Sequence, residues 1–225
     1  MATVKVVDLL ARAGTLLLDS GAVRWTRVEL QNWLNDAYRE AVALKPDCNT
    51  LTATFSCAEG PRQTLATDFP DAARLIEVVR NVAATSAKGA VRPTDRRSLD
   101  DARRNWYAET PSVDVQLFMF DPRLPKEFLV YPPATAAAQL EIMYAEVPTP
   151  HALTEEQLGD TLTADVIRLD DIYANALLDY VLYRAFSKDT ENAANAERAV
   201  AYFGAFRDAL GNIAGTAAAA QPGAA

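Results

Sequence analysis

The sequence predicts an α+β protein, mainly α: a four-helix-type bundle made by N- and C-terminal helices, with an antiparallel β-rich region inserted between them. Three observations predict it. Apolar residues recur at helical spacing up to Pro46 and again after Asp170. Between Leu51 and Ala145 they alternate at period two instead. Half of the 225 residues are hydrophobic and 23% are charged, a globular composition. A chain of this length buries roughly 70% of its unfolded surface and needs no disulfide or metal to fold. The expected division is a helical pair over 1–48 and an inserted β-rich region with a short helix over 49–148. Helices over 149–211 then complete the bundle, and 212–225 form a flexible tail.

The first helix is carried by Val6, Leu9, Leu10, Ala13, Leu16 and Leu17, and Gly21 suits the left-handed residue that ends it. The second opens on a T-x-x-E capping box, Thr26 and Glu29, with Trp25 and Leu30 as the hydrophobic staple. Its apolar face is Leu30, Trp33, Leu34, Ala37, Tyr38 and Ala41, and Pro46 stops it. From Leu51 to Cys57 apolar residues alternate with Thr52, Thr54 and Ser56, the pattern of a half-buried strand. Glu59-Gly60-Pro61 turns the chain towards a short strand at Gln63–Leu65, and Leu75–Val82 is β-rich. Ser98-x-x-Asp101 opens a short helix towards Trp106. Strands at 113–120, 127–131 and 139–145, separated by Asp121-Pro122, Pro125 and Pro132-Pro133, predict an antiparallel meander. Residues 149–164 read as a surface connection. A helix from Ile172 to Phe186 is apolar almost all round and so is expected to be enclosed by neighbours. Thr190 caps a last helix whose buried face is Ala196, Ala199, Val200, Phe203, Phe206 and Leu210, and Gly211 ends it.

Composition excludes several functions. With 30 acidic against 22 basic residues the net charge is -8, which excludes a whole-protein electrostatic grip on nucleic acid. The apolar runs are too short to span a bilayer, and Lys5, Asp8 and Arg12 interrupt any signal-peptide core, so a soluble intracellular product is expected. Cys48 and Cys57 belong to no metal or redox motif and are expected as free thiols. There is no phosphate-cradling glycine loop and no zinc, EF-hand or HExxH spacing, so no cofactor or metal is expected. His151 is the only histidine; between Pro150 and Ala152, with no nucleophile elbow, it reads as a solvated loop residue. An Asp/Glu-pair hydrolase is the weaker alternative, since such a pairing is spatial and invisible in sequence. A chaperone-like or regulatory binding module is another.

The charge pattern says more. Glu155, Glu156, Asp160, Asp165, Asp170 and Asp171 face only Arg168, whereas Arg92, Arg96, Arg97, Arg103 and Arg104 cluster with a few aspartates. Two solvated faces are one reading. The other is a head-to-tail interface in which Arg96, Arg97, Arg103 and Arg104 of one copy meet Glu155, Glu156, Asp160 and Asp165 of the next. Copies closed into a ring would line a channel with negative potential, through which DNA passes without sticking.

Three stretches together resemble a known family. They are VELQNWLNDAYREAVALKP after Trp25; FDPRLPKEFLVYPP followed by LEIMYAEVP; and IYANALLDYVLYRAFSKDTEN with AERAVAYFGAFRDALG. The combination resembles the head-to-tail adaptor (connector) proteins of tailed bacteriophages, especially short-tailed ones. The resemblance implies a structural, non-enzymatic ring subunit at the head-tail junction of the virion, made in the host cytoplasm. Its implied partners are further copies of itself, twelve in a ring, the portal protein above and a tail nozzle or tube protein below. DNA passes without specific binding, and no membrane is involved. A C-terminal extension that docks on the portal is implied for Asn212, Ile213, Gln221 and Pro222. Trp33, Tyr38, Tyr180, Tyr183 and Phe186 are expected to hold the bundle together. Phe118, Phe120, Phe128 and Tyr131 fit either core packing or an exposed patch facing the tail.

Overall fold

The computed structural model describes residues 2–189 and 193–219, and the chain divides into two compact units. One takes the residues up to Cys48 and from Pro148 onward; the other is Asn49–Val147.

In the first unit, α1 (Val6–Leu16) buries Val6, Leu9, Leu10 and Ala13 as its spacing predicts. It ends at Leu18, which takes the left-handed conformation (φ 57°) expected of Gly21. The loop that follows is organised by Asp19, whose carboxylate accepts the N–H groups of Val23, Arg24 and Trp25 at 2.8–3.0 Å. Helix α2 (Arg27–Leu44) is N-capped by Thr26 Oγ1, which accepts from Glu29 N–H. The reciprocal half of the capping box is missing, because the Glu29 carboxylate instead accepts from Lys188 Nζ at 2.7 Å. Helix α5 (Ala174–Lys188) is enclosed as its composition predicts, and rings fasten it to α6 (Ala193–Ala219). Tyr180 meets Phe206, Tyr183 meets Phe203, and Phe186 stacks on Tyr202, with centroids 4.9–5.6 Å apart. Ala199, Phe206 and Leu210 are buried on α6, whereas Ala196 and Val200, expected on the same face, are exposed. Gly211 does not end α6; the helical backbone continues through the alanine-rich stretch to Ala219, alanine being the strongest helix former. Thr190 lies outside the described residues.

Among the described residues the second unit holds all the strands. β1 (Thr50–Ser56), β7 (Gln139–Glu146) and β3 (Ala72–Asn81) form one antiparallel sheet in the order β1-β7-β3. β2 (Gly60–Thr64), β6 (Glu127–Ala134), β5 (Leu117–Phe120) and β4 (Arg92–Pro93) form the other, in which β4 runs parallel to β5. Phe55, Leu65, Leu75, Val78, Phe128, Val130, Leu140 and Ile142 share one core. Gln63, 1% exposed, shapes the β1–β2 turn: its side chain accepts from Ala58 N–H and donates to the Ala58 and Gly60 carbonyls. Gly60 sits at φ 108°, a conformation that side-chain-bearing residues rarely adopt. Helix α3 (Arg96–Ala102) starts two residues before the predicted Ser98, because Asp95 is the residue that accepts from Arg97 N–H and caps it.

The predicted fold class is therefore corrected. The chain is a mixed α+β protein with six helices and two multi-stranded sheets among the described residues, not a mainly α four-helix bundle carrying a β insert. Helix α1 is only 11 residues long, and strand-like pairing of Lys5 with Val166 fixes its start. The sheets are not a meander either. β7, last in the chain, lies between β1 and β3, and the prolines expected to separate two strands continue β6 to Ala134. Proline lacks only the N–H; the Pro133 carbonyl still accepts from Ser112 N–H at 2.8 Å.

Candidate interaction surfaces

Two regions bear the residues that sequence singled out. The first is the acidic segment after Pro148. It runs over the surface as expected, but it is pinned to α2, which presents a row of polar side chains to it at Gln31, Asn35 and Tyr38, spaced i, i+4, i+7. The Asn35 amide donates to the His151 carbonyl at 3.0 Å and accepts from His151 N–H at 2.8 Å. Gln31 does the same to Leu153, at 3.3 and 2.9 Å. Four helical residues rise about 6 Å, and two extended residues advance about 6.6 Å. The two repeats are therefore commensurate, and the amides imitate a neighbouring antiparallel strand.

Tyr38 supplies the next rung. Its O–H donates to His151 Nε2 at 2.9 Å while its oxygen accepts Arg168 N–H at 3.2 Å. His151 Nδ1–H then donates to Asp165 Oδ2 at 2.7 Å. This assigns the neutral Nδ1–H tautomer, because it alone gives every hydrogen an acceptor. Burial pushes the imidazole pKa below its ordinary value. The carboxylate of Asp165 pulls the other way, and Arg168 adds to the depression. Burial likewise raises the Tyr38 phenol. The solvated-loop reading of His151 is thus overturned: its side chain is fully enclosed.

The acidic run is largely committed within the chain. The Glu155 carboxylate accepts from Val28 N–H at 3.1 Å and pairs with Arg27, serving the first turn of α2. Helix α4 (Glu155–Gly159) has a complete capping box, Thr154 with Gln157. Asp160 accepts from Leu162 N–H, Asp165 holds His151 and Arg168, and Asp171 accepts from Thr3 and Val4. Glu156 is exposed.

The second region is basic. Arg96 lies 3.7 Å from Asp100, and Arg103 pairs with Glu109 at 3.3 Å and sits over the Tyr131 ring. Arg97 and Arg104 are exposed, with no ion pair among the described residues. Arg62, Arg96, Arg97 and Arg123 rim a cleft of about 340 Å³ floored by Met119 and Leu129. The paired Arg123 guanidinium holds the Asp121 carboxyl down to about 2. Of the four aromatics considered for an exposed patch, Phe118, Phe128 and Tyr131 are buried. Phe120 is half-buried beneath Arg74, and the Tyr131 hydroxyl donates to Glu109 at 2.9 Å. The backbone of Asn212 and Ile213 lies in α6, and Gln221 and Pro222 lie outside the described residues.

Sequence reading missed Gln31 and Asn35. The available signal was three hydrogen-bonding side chains in helical register, whose partners lie more than a hundred residues away. Among the described residues no His, Cys, Asp and Glu cluster is fit to hold a metal, and no helix is long and apolar enough to cross a membrane. Cys48 and Cys57 are free and buried.

The polar clusters thus fasten one stretch of chain to another or face outward. The chain belongs to the SU10 adaptor protein family, whose family model matches residues 4–225. That family is structural, and its membership makes this a bacteriophage adaptor, a virion component that works with other phage head and tail proteins. No curated protein matches the chain.

Proposed function

We propose that this chain is the non-enzymatic subunit of a connector ring of about twelve copies, joining the portal to the tail and continuing the DNA channel. The single observation that carries the reading is membership of the adaptor family along nearly the whole chain. Charge supports it. The unit containing both chain ends has 17 acidic against 11 basic residues, while the other has 13 against 11. The acidic surplus of the first unit suits a channel wall that repels the DNA backbone. Between copies, Arg97 and Arg104 are the best placed of the arginines to reach a neighbour, and Glu156 is the best placed of the acids. The C-terminal stretch with Asn212, Ile213, Gln221 and Pro222 docks on the portal, and the opposite end of the ring receives the tail nozzle or tube.

Sedimentation of the purified protein with and without portal tests the reading. Rings that form only with portal, and the presence of the chain in purified virions, are expected. An unchanged sedimentation profile together with absence from virions overturns it.

A further inference from the structure

The four sheet edges of the second unit are not alike. β3 carries three register shifts along its pairing with β7 and is studded with Arg74, Glu77 and Arg80. β2 contains Pro61 and Arg62 and shifts register between Gly60 and Arg62. β4 is two residues long and ends in Pro93. Bulges, charges, prolines and shortness are the devices by which edges are kept from adding foreign strands. β1 has none of them. Its sequence, TLTATFS, lacks charge, proline and glycine, and it pairs with β7 through seven consecutive positions without a shift.

The direction of its backbone groups follows from the ladder. Cys57 N–H donates to the Ala138 carbonyl, and hydrogen-bonded pairs alternate along antiparallel strands. Phe55, Ala53 and Leu51 therefore bond β7, while the N–H and C=O groups of Thr52, Thr54 and Ser56 point away from the sheet. Among the described residues these outward groups have no hydrogen-bond partner. The three side chains are exposed, and Leu51 at the strand's start is 39% exposed.

We infer that the β1 edge is a docking site for an extended segment of a neighbouring virion protein, which adds to the sheet as a fourth strand beside β1. The reading rests on the chain being a virion subunit. What the edge offers selects the occupant: a row of outward donors and acceptors matches only an extended backbone, and main-chain bonds supply the affinity in such strand addition. The absence of charge along β1 matches an uncharged segment, with hydroxyl or β-branched side chains beside Thr52 and Thr54 and an apolar one beside Leu51.

Hydrogen exchange of the full-length protein, free and within purified particles, tests this. In the free protein the amides of Thr52, Thr54 and Ser56 should exchange rapidly while those of Leu51, Ala53 and Phe55 are slow. In particles all six should be slow, the first three by at least a hundredfold. Thr54→Pro removes an outward N–H at an edge position of the kind where strands tolerate proline, so the protein should fold with its thermal transition nearly unchanged yet enter particles at least tenfold less well; Thr54→Val should enter normally. Rapid exchange at Thr52 and Thr54 in particles that contain the protein overturns the inference and leaves the connector reading standing. Absence of the protein from particles overturns both. Concentration-dependent protection in the isolated protein assigns the edge to a second copy and likewise overturns it.

Discussion

The Tyr38 hydroxyl donates to Nε2 of His151 across 2.9 Å, and both rings are buried. Because the Tyr38 oxygen also accepts from Arg168 N–H, a proton added to Nε2 would leave the phenolic hydrogen without an acceptor.

Stability should therefore fall on mild acidification. The folded-state pKa of His151 lies below its ordinary value of 6.5. The unfolded chain thus binds the extra proton first as pH drops. The contribution is complete above about 6.5 and is lost progressively as pH falls towards the folded-state value. Urea unfolding at pH 7.5 and 5.0 should show a drop in the wild type that is much smaller in His151→Gln.

Removal of the Asn35 amide should be costly. Asn35→Ala leaves the His151 N–H and C=O buried without partners, for a loss of about 2–3 kcal/mol. Equilibrium denaturation measures it. Gln31→Ala should cost less, because Gln31 holds the more exposed Leu153.

Phe206 is 0% exposed and touches Tyr180 and Phe203. Phe206→Ala should destabilise by about 3–5 kcal/mol, and Phe206→Leu by clearly less. A matching loss of stability in Val200→Ala would contradict the exposed position of Val200 on α6.

Burial pushes the thiol pKa of Cys48 up to about 11 and that of Cys57 up to about 12. Both should resist an aromatic disulfide reagent at pH 8 in the native protein, and both should react at once in denaturant. Native labelling at the denatured rate would refute the placement of the two side chains.

Arg104 is exposed and lacks the in-chain ties of Arg103, so Arg104→Glu should change stability by less than about 0.5 kcal/mol. If it faces a neighbouring copy, ring formation on the portal should weaken. Sedimentation after mixing with portal reads the effect, and Arg103→Glu should in addition lower stability through Glu109 and Tyr131.

What could be read in the sequence was local. The Thr26 cap, most of the apolar face of α1, the enclosure of α5 and the inward Phe55 of β1 depend on neighbours within a few residues and lie where their spacing put them, whereas Leu16 and Leu51, expected on the same faces, are exposed. What could not be read was long-range. Nothing near β7 announces that it separates β1 from β3, and that order turned a supposed meander into two sheets. The acidic run was visible as charge, but its use in serving the first turn of α2 was not, because that partner comes from the other end of the chain; Asp165 reaches His151 across an irregular stretch that no periodicity describes. The aromatics Phe118, Phe128 and Tyr131 suited a core better than a surface by pattern, but the partners that bury them, Phe55 and Leu140 for the first two and Leu99 and Trp106 for Tyr131, come together only in the folded chain.

The clasp between α2 and the segment at His151 is not tied to this fold. Two carboxamides one turn apart read an extended peptide by its main chain alone, indifferent to most of its side chains. A designed helix bearing the same triplet would hold a passing peptide in a fixed direction, with no exposed sheet margin to invite aggregation.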